Sequence, residues 1–153
     1  MNYLVSDKLF PFHRDGGTCF TTYEVASYLN LDADVPTKVI LHLMDQVIAS
    51  DDVSFDVTPA STFPINLRFL RQFKSNDSIM LNSAFKPFEL LYFFISIFSG
   101  AQIFWSAHGS LDTRLCKSFK KKAYLNFWAR LMGLVIDRYI CNSAGEYQQL
   151  PKF

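Results

Sequence analysis

Residues 78–107 read SIMLNSAFKPFELLYFFISIFSGAQIFWSA, two short apolar runs flanking a longer one. SIML and QIFWS are too short for stable helices, and their β-branched and aromatic content suits strands. PFELLYFFISIF is of helix length, with Pro87 near its start, where its missing N–H costs nothing. Ser99-Gly100 then interrupts the apolar run before the second strand begins. A strand, a helix and a strand within about 30 residues is a βαβ crossover. Such a unit joins parallel strands, and a parallel sheet needs helices over both faces. No other feature of the chain restricts its fold as strongly.

The flanking sequence extends the same alternation. NYLVSD is a first strand, TKVILHLM a second and RYICNS a last one. TCFTTYEVASYLN reads as a helix with Phe20, Tyr23, Val25, Ala26 and Leu29 near helical spacing, and Thr18 as its cap. INLRFLRQF reads as a short helix with Leu67, Leu70 and Phe73 inward and Arg68 and Arg71 outward. DTRLCKSFKKKAYLNFWARLMGLVI reads as one long helix. Its Leu115, Phe119, Ala123, Phe127 and Leu131 form a core stripe, with Trp128 and Leu134 beside it. AGEYQQL opens another helix, and ASDDVSFDVTPASTFP reads as a polar, irregular surface excursion. The expected fold is therefore α/β: a Rossmann-like, mostly parallel sheet with helices on both faces, in a single domain spanning residues 1–153. Half of the residues are hydrophobic and 16 are Phe, enough apolar material for the core such a sheet requires.

Charge and cysteine usage narrow the function classes. A formal net charge of +1 supplies no global field for nucleic acid, so electrostatic recognition has to be local. Cys19, Cys116 and Cys141 are widely separated and form no CxxC pair, which argues against a zinc cluster and a disulfide framework and for a reducing, cytoplasmic setting. The Asp51-Asp52 and Asp32-x-Asp34 pairs lack partners at metal-ligand spacing, so no metal site is expected. MNYLVSDKLF has neither the basic start nor the apolar run of a signal peptide. The stretch Phe88–Trp105 contains Glu89 and is broken by SGAQ, whereas a membrane span needs ~20 mostly apolar residues, so it divides into a buried helix and a buried strand.

The residues able to carry chemistry lie where strands end. In α/β sheets ligands bind at the carboxyl ends of strands. Gly16-Gly17 stands between the first strand and its helix, where backbone can approach an anion closely; the pair also fits a plain turn. His13 lies in the same loop and can point into the same site, while His42 falls within a strand and reads as structural. His108-Gly109-Ser110 follows the strand AQIFWSA. There an imidazole can donate to a hydroxyl or phosphate, or act as acid or base, or simply be satisfied by backbone carbonyls in a turn. No GxSxG elbow accompanies the serine, which argues against a Ser–His hydrolase. Lys120, Lys121 and Lys122 spread around a helix; they suit a solvated face or a basic collar for anionic headgroups or a phosphorylated acceptor. Helical spacing assigns Phe119 and Phe127 to the core rather than to a membrane anchor.

Three blocks taken in order, GG after the first strand, WSAHGSLD followed by KSFKKKAYLNFWARL, and ICNSAGEYQQL, make the chain resemble the N-terminal half of a family 4, GT-B fold glycosyltransferase. The positions that carry the likeness are His108, Gly109, Leu111, Asp112, Lys121, Lys122, Ser143 and Glu146; the segment 45–63 carries little of it. The resemblance implies sugar transfer from a nucleotide-sugar donor to a saccharide or lipid-linked acceptor, without a metal or other cofactor. His108 would bind the donor sugar, Gly16 and Gly17 would admit the diphosphate, and His13, Gly109 and Ser110 would line the cleft. Backbone N–H groups at a helix start would stabilise the departing diphosphate. The Lys120–Lys122 collar would lie near a membrane surface or a pyrophosphate-linked acceptor, and Ser143 and Glu146 would mark the domain's end.

In that family a second domain holds most of the nucleotide contacts, and the sequence stops at Phe153 where it would begin. The resemblance therefore implies negligible transfer by this chain alone and a partner role for the C-terminal domain or a separately encoded equivalent, with peripheral contact at the inner face of a membrane. The competing expectation is a non-catalytic α/β binding or interaction module.

Overall fold

The computed structural model describes residues 1–6, 17–31, 36–41, 55–59, 71–82, 87–106, 118–141 and 144–148. Six strands form one parallel sheet: β1 (Asn2–Ser6), β2 (Thr37–Leu41), β3 (Asp56–Pro59), β4 (Ser78–Leu81), β5 (Gln102–Ser106) and β6 (Ile136–Ile140). The helices are α1 (Gly17–Asn30), α2 (Pro87–Ser99), α3 (Phe119–Gly133) and the short α4 (Ala144–Tyr147). The strand order is β3-β2-β1-β4-β5-β6, so the chain builds outward in one direction from β1 and then in the other from β4. This is the α/β, Rossmann-like architecture expected from the alternation of strands and helices.

Register sorts the side chains into two faces. One row runs Val57–Val39–Leu4–Met80–Phe104–Arg138 and the next Thr58–Ile40–Val5–Leu81–Trp105–Tyr139. Successive residues point to opposite faces, so the first row packs beneath Tyr23, Ala26 and Leu29 of α1. The second packs beneath Tyr92, Phe93 and Ile95 of α2 and Trp128 and Met132 of α3. Trp105 is fully buried on that side, its ring 5.7 Å from Tyr139. The alternation fails once, between Ile103 and Phe104, where β6 bulges and the Asp137 carboxylate accepts the Ile103 backbone N–H at 2.7 Å.

The long apolar stretch breaks where glycine allows it. Gly100 takes φ +71°, donates its N–H to the Ser96 carbonyl at 2.7 Å and turns the chain from α2 into β5. The Ser96 hydroxyl donates to the Ala101 carbonyl at 2.6 Å, closing the same turn. Among the described residues no helix is long and apolar enough to cross a membrane. At the amino ends of the strands, Asp77 ties three segments together. Its carboxylate meets the Met1 ammonium at 3.0 Å and accepts the Lys74 N–H at 2.8 Å, and its carbonyl accepts from Gln102.

Four sequence expectations are corrected. The polar excursion contains β3, held at the sheet edge by parallel pairing to β2, by buried Phe55 and by a Lys38–Asp56 ion pair at 3.0 Å. Pro59 closes β3, as suits a strand that has no outer neighbour among the described residues to receive the missing donor. The helix around the lysines does not run through Ser118, which is extended (φ −99°, ψ 132°) and precedes α3. Within α3 the core is made by Trp128 and Met132 with Leu131 packed against it, whereas Phe119, Ala123 and Phe127 of the expected stripe are exposed, as is Leu134 beyond it, and Leu115 lies outside the described residues. In α1, Phe20 is exposed in place of the buried Thr22, and Thr18 lies inside the helix rather than at its cap. The expected helix over 65–73 lies mostly outside the described residues; of its inward set Phe73 is buried, in ring contact with Tyr3 at 4.7 Å.

Candidate functional site: the carboxyl rim of the sheet

Three neighbouring inner strands, β1, β4 and β5, end on a small polar residue that is nonetheless fully buried. Ser6 closes β1, Asn82 follows β4 and Ser106 closes β5, all with no exposed surface. β1 and β4 are neighbours, and the strand order reverses between them. Connections leaving these two strands go in opposite directions, which opens a crevice at their carboxyl ends. Ser6 and Asn82 stand at that crevice, and the Asn82 N–H donates to the Val5 carbonyl at 3.0 Å. Thr22, one turn into α1 and also fully buried, accepts a hydrogen bond from the Asn82 side-chain amide. Thus α1, the helix that follows β1 in the chain, is tied by a side-chain bond to the far side of the crevice.

Among the described residues, two helix starts carry charge toward the rim. α1 opens at Gly17 with no acidic residue in its first turn. α3 opens with Phe119-Lys120-Lys121-Lys122, also without an acidic residue in the first turn and with no side-chain cap from Ser118. Lysines at a helix N-terminus add to its partial positive charge, where acidic residues would offset it. The described helix starts thus contribute positive charge on a chain that as a whole is nearly neutral. Ser6, Thr22, Asn82 and Ser106 do not titrate at ordinary pH; they are suited to hydrogen bonding and to letting a ligand approach the strand ends. Titration shifts lie elsewhere. Burial pushes Tyr139 up to about 12, reinforced by Cys141, and burial raises Tyr92 and Tyr3, the last also through Asp77.

Gly17 is the first residue of α1, at the expected junction, and Lys120 and Lys122 are exposed on the first turn of α3 with Lys121 between them. Glu146 belongs to α4. His13, Gly16, His42, His108, Gly109, Ser110, Leu111, Asp112 and Ser143 lie outside the described residues. Among the described residues no cluster of three His, Cys, Asp or Glu could hold a metal ion. The sequence reading missed Ser6, Thr22, Asn82 and Ser106. A signal existed: NYLVS, SIMLN and QIFWS are apolar runs that each end on a serine or asparagine.

Comparison with protein-family models, with curated proteins and with solved structures finds no match.

Proposed function

We propose that the chain is the acceptor-side domain of a nucleotide-sugar-dependent glycosyltransferase. The observation that carries this reading is topological. β1, β5 and β6 are parallel members of one sheet. The strands that Gly16-Gly17, His108-Gly109 and Ser143-Glu146 follow in the sequence therefore turn their carboxyl ends to the same rim, which supports reading the three as parts of one site. In a mixed sheet they would have been divided between two rims. The glycines would admit the donor diphosphate beside the start of α1, His108 would hydrogen-bond the donor sugar, and the polar strand ends would floor the cleft. The acceptor would be a saccharide or a lipid-linked sugar. The nucleotide donor and the dispersed cysteines carry a cytoplasmic location with this reading.

Titration of the isotope-labelled chain with nucleoside diphosphate sugars and with oligosaccharides, followed by amide chemical shifts, tests the proposal. Weak binding that moves the amides of Ser6, Gly17, Asn82 and Ser106 is expected. His108→Ala should weaken donor binding roughly tenfold, the loss of one good hydrogen bond, with the melting temperature unchanged. Shifts confined to other surfaces, or unaltered donor binding by His108→Ala, would remove the assignment.

A further inference from the structure

The sides of α2 and α3 that face away from the sheet are both apolar. In α2, Leu90, Phe94, Ile97 and Phe98 recur at helical spacing opposite the buried Tyr92 and Ser96, and all four are exposed. In α3, Phe119, Ala123 and Phe127 recur every four residues opposite the buried Trp128 and Met132, with Leu134 just beyond, and they too are exposed. A surface helix ordinarily carries polar residues there. The helices cover the same face of the sheet. α2 joins β4 to β5 and α3 joins β5 to β6, so they are neighbours that run in the same direction. Phe94, Phe98, Phe119 and Phe127 are exposed by 51%, 85%, 83% and 65%. At ~200 Å² for each side chain, these four alone leave roughly 550 Å² of apolar surface in water. Leu90, Ile97 and Leu134 bring the patch to roughly 800 Å², the area each partner gives to a protein–protein interface of ordinary size.

We propose that this face pairs two copies of the chain about a two-fold axis parallel to the helices, with α2 of one copy lying on α3 of the other. Charge selects the pairing. α3 carries Lys120, Lys121, Lys122 and Arg130 and no carboxylate, whereas the only charged residue of α2 is Glu89. Laying α3 on α3 would set its cations against their own copies; laying it on α2 sets them against a helix that has none. Height selects it too. α2 ends at Ser99 and α3 at Gly133, and in each case the next strand begins three residues on. Phe94 stands five residues before the end of its helix and Phe127 six, so the two are level to within about 2 Å at ~1.5 Å per residue. Leu90 and Ala123 are level in the same way, a large side chain opposite a small one. Rotation about an axis along the helices leaves height unchanged, so Phe94 of one copy meets Phe127 of the second. The contact uses neither the strand ends nor the donor loops and stands apart from the transferase reading.

Sedimentation equilibrium of the full chain from about 0.1 to 100 µM tests it, since interfaces of this size begin at micromolar affinity. A dimer of twice 17.6 kDa should form in the micromolar range. It should persist in about 1 M salt, which screens the cations of α3 and leaves apolar burial intact. Phe94→Glu and Phe127→Lys should each weaken it by about a hundredfold or more, because each change enters a two-fold interface twice. An equimolar mixture of these two variants should dimerise again. In the mixed pair one contact keeps Phe94 against Phe127, and the other sets the introduced carboxylate against the introduced ammonium. Both positions are exposed, so melting measured below about 1 µM, where the chain is monomeric, should stay within a few degrees of the parent. A chain that remains monomeric at 100 µM overturns the proposal, and one that then co-sediments with lipid vesicles gives the face to a bilayer instead. A dimer broken by Phe94→Glu but not by Phe127→Lys, or a mixture that fails to recover, overturns the pairing of α2 with α3.

Discussion

Asn82, just past the end of β4, donates its side-chain amide to the hydroxyl of Thr22 on α1, joining two fully buried groups that are 60 residues apart in the chain. The bond spans the point where strand order reverses, so it sets the position of α1 relative to β4 rather than merely to its own strand β1. Asn82→Ala leaves the Thr22 hydroxyl buried with one partner fewer, and should lower unfolding free energy by about 2 kcal/mol. Thr22→Val should cost a similar amount. A double-mutant cycle from denaturant unfolding should return a coupling of about 1 kcal/mol; strict additivity would mean that the two side chains do not act on each other.

Trp128 and Phe127 are adjacent in α3 and belong to opposite environments, 2% and 65% exposed. Trp128→Ala should destabilise by about 3–5 kcal/mol through loss of buried area and the cavity left against the sheet. Phe127→Ala and Phe119→Ala should each change stability by less than about 0.5 kcal/mol. Urea midpoints of the three variants decide it, and the reverse ranking would restore the stripe through Phe119, Ala123 and Phe127 as the packed face.

The Thr37 hydroxyl is buried at the start of β2 and has no hydrogen-bond partner among the described residues. Valine has the same shape without the hydroxyl. Thr37→Val should therefore be neutral or stabilising by about 1 kcal/mol, since it removes an uncompensated desolvation penalty. A lower melting temperature would show that the hydroxyl is satisfied in solution.

Burial raises the Tyr139 phenol above its ordinary value, up to about 12, with the neighbouring Cys141 adding to the shift. The folded chain thus holds this proton more tightly than the unfolded chain does. The resulting stabilisation is complete below pH ~10, where both states are protonated, and is lost as pH rises from there through the folded value. Melting temperature should fall across that window, helped by Tyr92 and Tyr3, whose phenols are raised in the same direction. Tyr139→Phe should flatten the fall while leaving neutral-pH stability less affected. An identical alkaline slope in that variant would exclude Tyr139 as its source.

The main architecture was legible locally, because strands and helices announce themselves through short-range pattern. SIML, QIFWS and NYLVS are apolar runs of strand length, and Ser99-Gly100 divides the longer run into α2 and β5. Their alternation with helices dictates parallel pairing, since consecutive parallel strands need a crossover. The same alternation turns the carboxyl ends of β1, β5 and β6 to one rim. What local pattern left undetermined was choice among near-equal alternatives. α3 carries apolar residues on two sides, and its periodicity does not say whether Phe119 and Phe127 or Trp128 and Met132 face inward. The sheet makes that choice, through the space beside Trp105 and Tyr139. Asp56-Val57-Thr58-Pro59 has weak strand character and becomes β3 only because β2 offers an open edge. Ser6, Asn82 and Ser106 each look like the polar end of a strand. Only the order in which the strands assemble buries them together and turns three separate strand ends into one candidate site.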